Sequence, residues 1–263
     1  MNNIIPIFMT DSSIGKSILT SWGPEDKIKP NSPVSTWTIV ELYNINPVYI
    51  LENSFSSFVN HYEISKKLKK QLIFGVQFRV VENAKDKSEE SFKTEHKVNI
   101  WMKNSNGYKD LIKLYSAAHA MEENFYYTGR LDYSILKEKF TDNLLLTIPY
   151  YGSFIHRNNL EFGHRSVPDF GNIIPSFHLD SKNLPFDNLL TKYVLDFCDK
   201  NKYNVLHSNL CYYYRDNDFK SFIVRKCISN RSQFNRPNIN YLSSNEFSFE
   251  TYCRKNNVKF LNE

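Results

Sequence analysis

No stretch of this sequence approaches the roughly 20 consecutive apolar residues that a helix needs to cross hydrocarbon. The N-terminal MNNIIPIFMTDSS has too short an apolar run and no basic leader for a signal peptide. A cytoplasmic protein with no membrane partner is expected. Cysteine is sparse: Cys198, Cys211, Cys227 and Cys253 include no CxxC pair, the usual mark of a zinc site or a dithiol redox centre. Four free thiols in a reducing compartment are expected. Charge of one sign is also lacking, since 33 Lys and Arg stand against 28 Asp and Glu, a net +5. That balance permits anionic partners without marking a nucleic-acid clamp. Internal repeats and low-complexity linkers are missing too.

What the chain has in abundance is aromatic rings, 17 Tyr and 20 Phe in 263 residues. Their burial supplies free energy that offsets chain entropy, which excludes disorder and predicts one folded domain spanning 1–263. Strand-length apolar runs alternate with segments of helical period, the pattern of βα units around a largely parallel sheet. Strands are predicted at 4–9, 47–51 (PVYIL), 72–81 (LIFGVQFRVV), 98–102, 144–148 (LLLTI) and 203–206. Helices are predicted after Asn53 or Ser54, either of which could cap, and over 107–120, 186–200 and 218–230. In the second of these, Tyr108, Leu111, Ile112, Tyr115 and Ala118 share one face. Lys66, Lys67, Lys69 and Lys70 read as a solvated helix end. Residues 24–33, 83–95 and 158–175 read as loops.

Candidate chemistry is thin. Gly15-Lys16-Ser17 follows a strand, but a phosphate-binding GxxxxGK[ST] loop needs glycine at the position held by Thr10. Gly15 then belongs to a turn and Lys16 to solvent. Glu161 and His164 form an ExxH pair, but Gly163 and Pro168 argue for a loop there. His61, His119, His156, His178 and His207 have no partner at ligand spacing.

Four segments in order carry a resemblance: ILENSFSSFVNHYEISKKLKKQLIFGVQFRVV, IWMKNSNGYKDLIKLYSAAH, LDYSILKEKFTDNLLLTIPYYG and NVLHSNLCYYYRDNDFKSFIVRKC. They resemble successive motifs of the PHP (polymerase and histidinol phosphatase) domain, in the version found at the N-terminus of bacterial C-family replicative polymerases, the DNA polymerase III alpha subunits. The resemblance runs over about 4–254, with a C-terminal tail to 263, and KNSNGYKDLIKL is its most specific piece. It implies an α/β fold, a single-domain distorted βα barrel of about seven strands. In active members the strand ends hold up to three metal ions for phosphoester hydrolysis, bound mainly by His, Asp and Glu.

Position by position, the resemblance places other residues at those ligand sites. The HxH motif, which precedes a serine-containing turn, falls on Ile7-Phe8-Met9-Thr10, with Met9 and no histidine. An Asp-His pair falls on Glu52 and Asn53, the GxEF glutamate on Gln77, and a histidine on Lys97, with His96 one residue away on the opposite face. A Cys-type ligand falls on Tyr151, and the closing Asp-x-His on Asn209 and Cys211. A lysine roughly 4 Å from a divalent ion adds about 8 kcal/mol of repulsion at an effective dielectric near 20. The expectation is no metal, no cofactor and no catalytic residue.

The implied function is therefore a non-catalytic PHP-like accessory or structural subunit in DNA replication. Its partner would be a separately encoded polymerase core or proofreading exonuclease, and any DNA contact would be indirect. The chain stops where the family's polymerase palm would begin. One alternative is a residual metal-dependent phosphoesterase or 3′–5′ exonuclease using Glu52, His96, Cys211 and loop histidines such as His156 or His164. Another is a polymerase-domain mimic that redirects or inhibits a host replicase. The Asn-, Lys-, Ile- and Tyr-rich composition suits an AT-rich genome such as a phage's, which would place the protein in the host cytoplasm.

Overall fold

The computed structural model describes residues 4–25, 28–29, 32–234 and 244–261. Parts of the expected loop at 24–33, of the resemblance up to 254 and of the C-terminal tail lie outside them. In chain order the elements are β1 (Ile5–Phe8), α1 (Thr36–Leu42), β2 (Val48–Glu52), α2 (Phe58–Lys67), β3 (Leu72–Val81), β4 (His96–Met102) and α3 (Ser105–His119). There follow β5 (Phe125–Tyr126), β6 (Thr128–Asp132), α4 (Tyr133–Lys139), β7 (Leu144–Ile148), α5 (Phe154–Leu160) and β8 (Ser176–Leu179). The last are α6 (Asp187–Asn201), β9 (Asn204–Cys211), α7 (Phe219–Ser229) and α8 (Phe249–Lys255).

Two compact units divide these elements: Met1–Phe74 with Lys182–Pro185 and His207–Glu263, and Gly75–Ser181 with Phe186–Leu206. In the first, β1 lies parallel between β2 and β9, and Phe8 stands opposite both Ile50 and Cys211. Carrying that register two residues on brings Thr10 level with Glu52, so the ends of three strands meet. Phe8 and Tyr214 stack on Phe249 of α8, and Phe8 and Phe249 are fully buried. Aromatic burial of this kind stabilises by roughly 1.5–3 kcal/mol per side chain.

In the second unit the strand order is β8-β7-β4-β3-β6-β5, with β4 antiparallel to β3 and β7. Gln77, Asn99, Thr147 and Ser176 stand opposite one another in a row across β3, β4, β7 and β8. Opposed residues share a face, so this row is a polar stripe in an otherwise apolar sheet. Phe177, next to Ser176 and so on the other face of β8, clusters with Phe154, Phe197 and Tyr203.

Several local expectations need correction. The helix after β2 starts later than Asn53 or Ser54 would cap it, for Ser54 instead bonds Ser56 and the N-cap is Ser57. The buried seam of α3 is Gly107, Asp110, Leu111, Leu114, Ala117 and Ala118, while Tyr108, Ile112 and Tyr115 are only half-buried. The helix is capped by Asn104, whose side chain accepts from Asn106 N and Gly107 N at 2.9 and 3.0 Å. A Cβ at Gly107 would lie 2.5 Å from the Asn143 carbonyl oxygen, so only glycine fits. That explains much of the KNSNG motif. Residues 83–95 are not a plain surface loop: they fold over fully buried Arg130, which donates to Ser91 Oγ and to the carbonyls of Ala84 and Asp86. Helix α5 also takes up part of the loop expected at 158–175.

Candidate functional site

At the strand ends of the first unit, Glu52 is buried and both its oxygens are engaged. Oε1 accepts from Thr10 N at 3.0 Å and Thr10 Oγ1 at 2.6 Å, and Oε2 accepts from Ser13 Oγ. Ser13 Oγ accepts in turn from Asn53 N at 2.8 Å, which ties the turn after β1 to the turn after β2. Beside them lies His61 of α2, fully buried. Its Nδ1 accepts from the Trp37 indole N–H at 3.0 Å, and indole is only a donor, so the ring proton sits on Nε2. That Nε2 lies 3.9 Å from Glu52 Oε1, beyond hydrogen-bond reach, and has no hydrogen-bond partner. Trp37 is placed by α1, whose N-cap Ser35 accepts from Trp37 N.

Next to this group, Met9 is buried and its N–H donates to the Cys211 carbonyl. Asn209 is fully buried and uses both ends of its amide: Nδ2 points at Cys211 Sγ (3.2 Å) and Ser248 O (3.3 Å). Oδ1 accepts from Lys182 Nζ at 2.8 Å. Lys182 is itself fully buried, with Nζ also 3.3 Å from Leu210 O and 5.0 Å from the centre of the Phe247 ring. A buried cation thus stands against Asn209 and Cys211. Nothing in the local sequence DSKNLP distinguishes Lys182 from a solvated loop lysine, which is why sequence reasoning missed it. Ser13 was visible as part of the serine-containing turn, although its reach to Glu52 was not.

In the second unit, Gln77 Nε2 donates to Asn99 Oδ1 at 3.0 Å. Thr147 Oγ1 accepts from Trp101 Nε1 at 2.8 Å and lies 3.0 Å from His178 Nε2. Burial lowers the His178 pKa to about 4. Lys97 and His96 do face opposite ways. His96 is buried between Tyr133 OH (2.7 Å from Nε2) and Ser166 Oγ (3.1 Å from Nδ1), and burial lowers it to about 4. Lys97 lies against Gly152, and its charge helps lower the half-buried His156, which also falls to about 4 chiefly by desolvation. Tyr151 OH donates to the buried Asp187 carboxylate, 2.8 Å from each oxygen, and Ser181 Oγ donates to the same group.

The ExxH pair is in a loop. Glu161 pairs with Arg157 at 2.7 Å, and His164 is held by Asn158 Oδ1 and the Glu95 carbonyl, both at 2.8 Å. Among the described residues, no group of three or more His, Cys, Asp or Glu is placed to hold a metal ion, and all four cysteines are free and buried.

The model of the PHP domain matches residues 35–167, half of the chain. The chain belongs to the PHP domain family. It has the α/β fold class of a distorted βα barrel of about seven strands, as expected. Glu52, Asn53, Gln77, Lys97 and Tyr151 lie within the matched span, and Met9, Asn209 and Cys211 lie outside it. No curated protein matches the chain. No helix among the described residues is long and apolar enough to cross a membrane.

Proposed function

We propose that this PHP domain is catalytically silent, a relative of the PHP domain of C-family replicative polymerases that serves DNA replication as an accessory or structural subunit. Its partner on this reading is a separately encoded polymerase core or proofreading exonuclease. The observation that carries the reading is the state of Glu52, the one hard anionic donor among the positions that the resemblance assigns to metal. Its carboxylate accepts from an amide and two hydroxyls of Thr10 and Ser13.

A divalent cluster needs several anionic oxygens or imidazoles around each ion. The other positions supply a thioether, two amides from asparagine, one from glutamine, a phenol, a thiol and a lysine, so these residues do not fit such a cluster. Buried polar groups need partners, and Glu52 has Thr10 and Ser13 while Asn209 has Lys182, Cys211 and Ser248. The Lys182 ammonium beside Asn209 and Cys211 would further repel a divalent ion.

Affinity purification of the tagged chain from cells that naturally express it tests the partner. A polymerase or exonuclease subunit recovered in constant ratio through gel filtration is the expected result. Recovery of the chain alone, together with a metal-dependent nuclease activity that Glu52→Ala abolishes, would replace this reading with the residual phosphoesterase.

A further inference from the structure

Strand β5 ends the strand order of the second unit and pairs only with β6. Tyr126 stands opposite Thr128, which leaves Tyr127 alone in the turn of this hairpin. Its φ is +59, in the left-handed region where a bulky side chain is disfavoured and glycine or asparagine is the usual choice. Tyr127 is also 77% exposed, so burial does not offset that strain. Phe125 and Met121, close by in sequence, are exposed as well.

The Tyr127 ring belongs to a cluster. It lies 4.6 Å, centre to centre, from Tyr126 and 6.5 Å from Phe92, and Phe92 stacks on Tyr126 at 5.5 Å. Fully buried Arg130 sets its guanidinium 5.1 Å from the centre of the Tyr126 ring, so the cluster already holds one guanidinium from within the protein. Phe92 sits in the 3-10 turn Glu89–Lys93, where side chains at i and i+3 eclipse, and exposed Glu89 therefore shares its side. The lysines around the cluster are engaged: Lys85 pairs with Glu123 at 3.2 Å and Lys93 with Glu90 at 2.6 Å, and Lys87 Nζ donates to the Glu122 carbonyl at 3.1 Å. Among the described residues Glu89 has no ion-pair partner.

We propose that the Phe92, Tyr126 and Tyr127 rings, with Glu89 beside them, form a docking surface for an arginine-bearing segment of a partner protein. The incoming guanidinium lies on the exposed Tyr127 ring and pairs with Glu89. The carboxylates of Glu89, Glu90, Glu122 and Glu123 tell against the phosphate backbone of a nucleic acid as the occupant. The surface is independent of the strand-end site and of the replication partner proposed above.

Fluorescence anisotropy of a labelled hexa-arginine peptide with the full chain, at low salt, tests this. The chain carries a net +5, so general attraction does not draw the peptide to it. The wild type is expected to bind hexa-arginine more tightly than hexalysine, because a guanidinium stacks on rings and an ammonium does not. Tyr127→Asn, which suits the left-handed backbone, should weaken binding about fivefold and Glu89→Gln about threefold, while Tyr127→Phe keeps the ring and the affinity. Tyr62→Ala, on α2, should leave binding unchanged. Glu89 lies on an exposed turn, so its variant decides the matter if Tyr127→Asn unfolds. Absence of binding, equal binding of hexalysine, or unchanged affinity in folded Tyr127→Asn would overturn the proposal. So would binding of an oligothymidylate, or self-association in gel filtration, that Tyr127→Asn abolishes, since either would give the surface to a different occupant.

Discussion

On the proposed reading, Glu52 is the residue that distinguishes a working metal site from a converted one. In a metal site the carboxylate would be held open for the ion, and replacing it with an uncharged amide would change stability little or improve it. Here it accepts three hydrogen bonds inside the protein. Glu52→Gln should therefore lower stability by about 2 kcal/mol, the scale of hydrogen bonds to a charged group, because the new amide N–H2 faces hydroxyl and amide donors. Urea unfolding measures this directly. A variant as stable as the wild type, or more so, would show that the Thr10 and Ser13 contacts do not hold the carboxylate in place.

At the scale of elements, three histidines, buried on β4 and β8 and half-buried on α5, link stability to acid. His96, His156 and His178 each have a pKa lowered to about 4 from 6.5, with burial the leading cause. The unfolded chain binds these protons first, so the stability they confer is complete above pH 6.5 and is lost as pH falls towards 4. Each contributes a slope of about 1.4 kcal/mol per pH unit inside that window. The urea midpoint should drop steeply between pH 6.5 and 4.5, and His178→Leu should flatten the drop by about a third. A midpoint that stays level there would mean that these rings are not held neutral by burial.

The same elements show what the sequence made legible. β3 and β7 were readable to the residue because long runs such as LIFGVQFRVV admit one period only. The capping of α2 and the buried face of α3 were not, because Ser54 and Asn53 are as good caps on paper as Ser57, and Tyr108 and Ile112 are apolar without being core. The resemblance set Thr10, Glu52 and Asn209 at strand ends, and the register of β1 against β2 brings Thr10 level with Glu52. The surroundings of that site were not legible at Lys182, Trp37 and His61, whose partners are distant in sequence and recognisable only once packed.

At the scale of the molecule, we propose that the chain is one domain. It passes between its two compact units at 74/75, 181/182, 185/186 and 206/207, and β3 and β9 each change unit within their length. The urea transitions above should accordingly be single ones, with coincident fluorescence and circular dichroism. On the proposed reading the PHP scaffold acts through its surface, since function lies in particular sites and not in the fold that carries them. That claim is tested most directly by metal content. The protein, purified without chelators, is incubated with excess manganese and zinc, gel-filtered and assayed by plasma mass spectrometry. The account predicts metal far below one ion per chain, and unchanged by Glu52→Gln. Stoichiometric manganese or zinc that survives gel filtration and is lost in Glu52→Gln would contradict it.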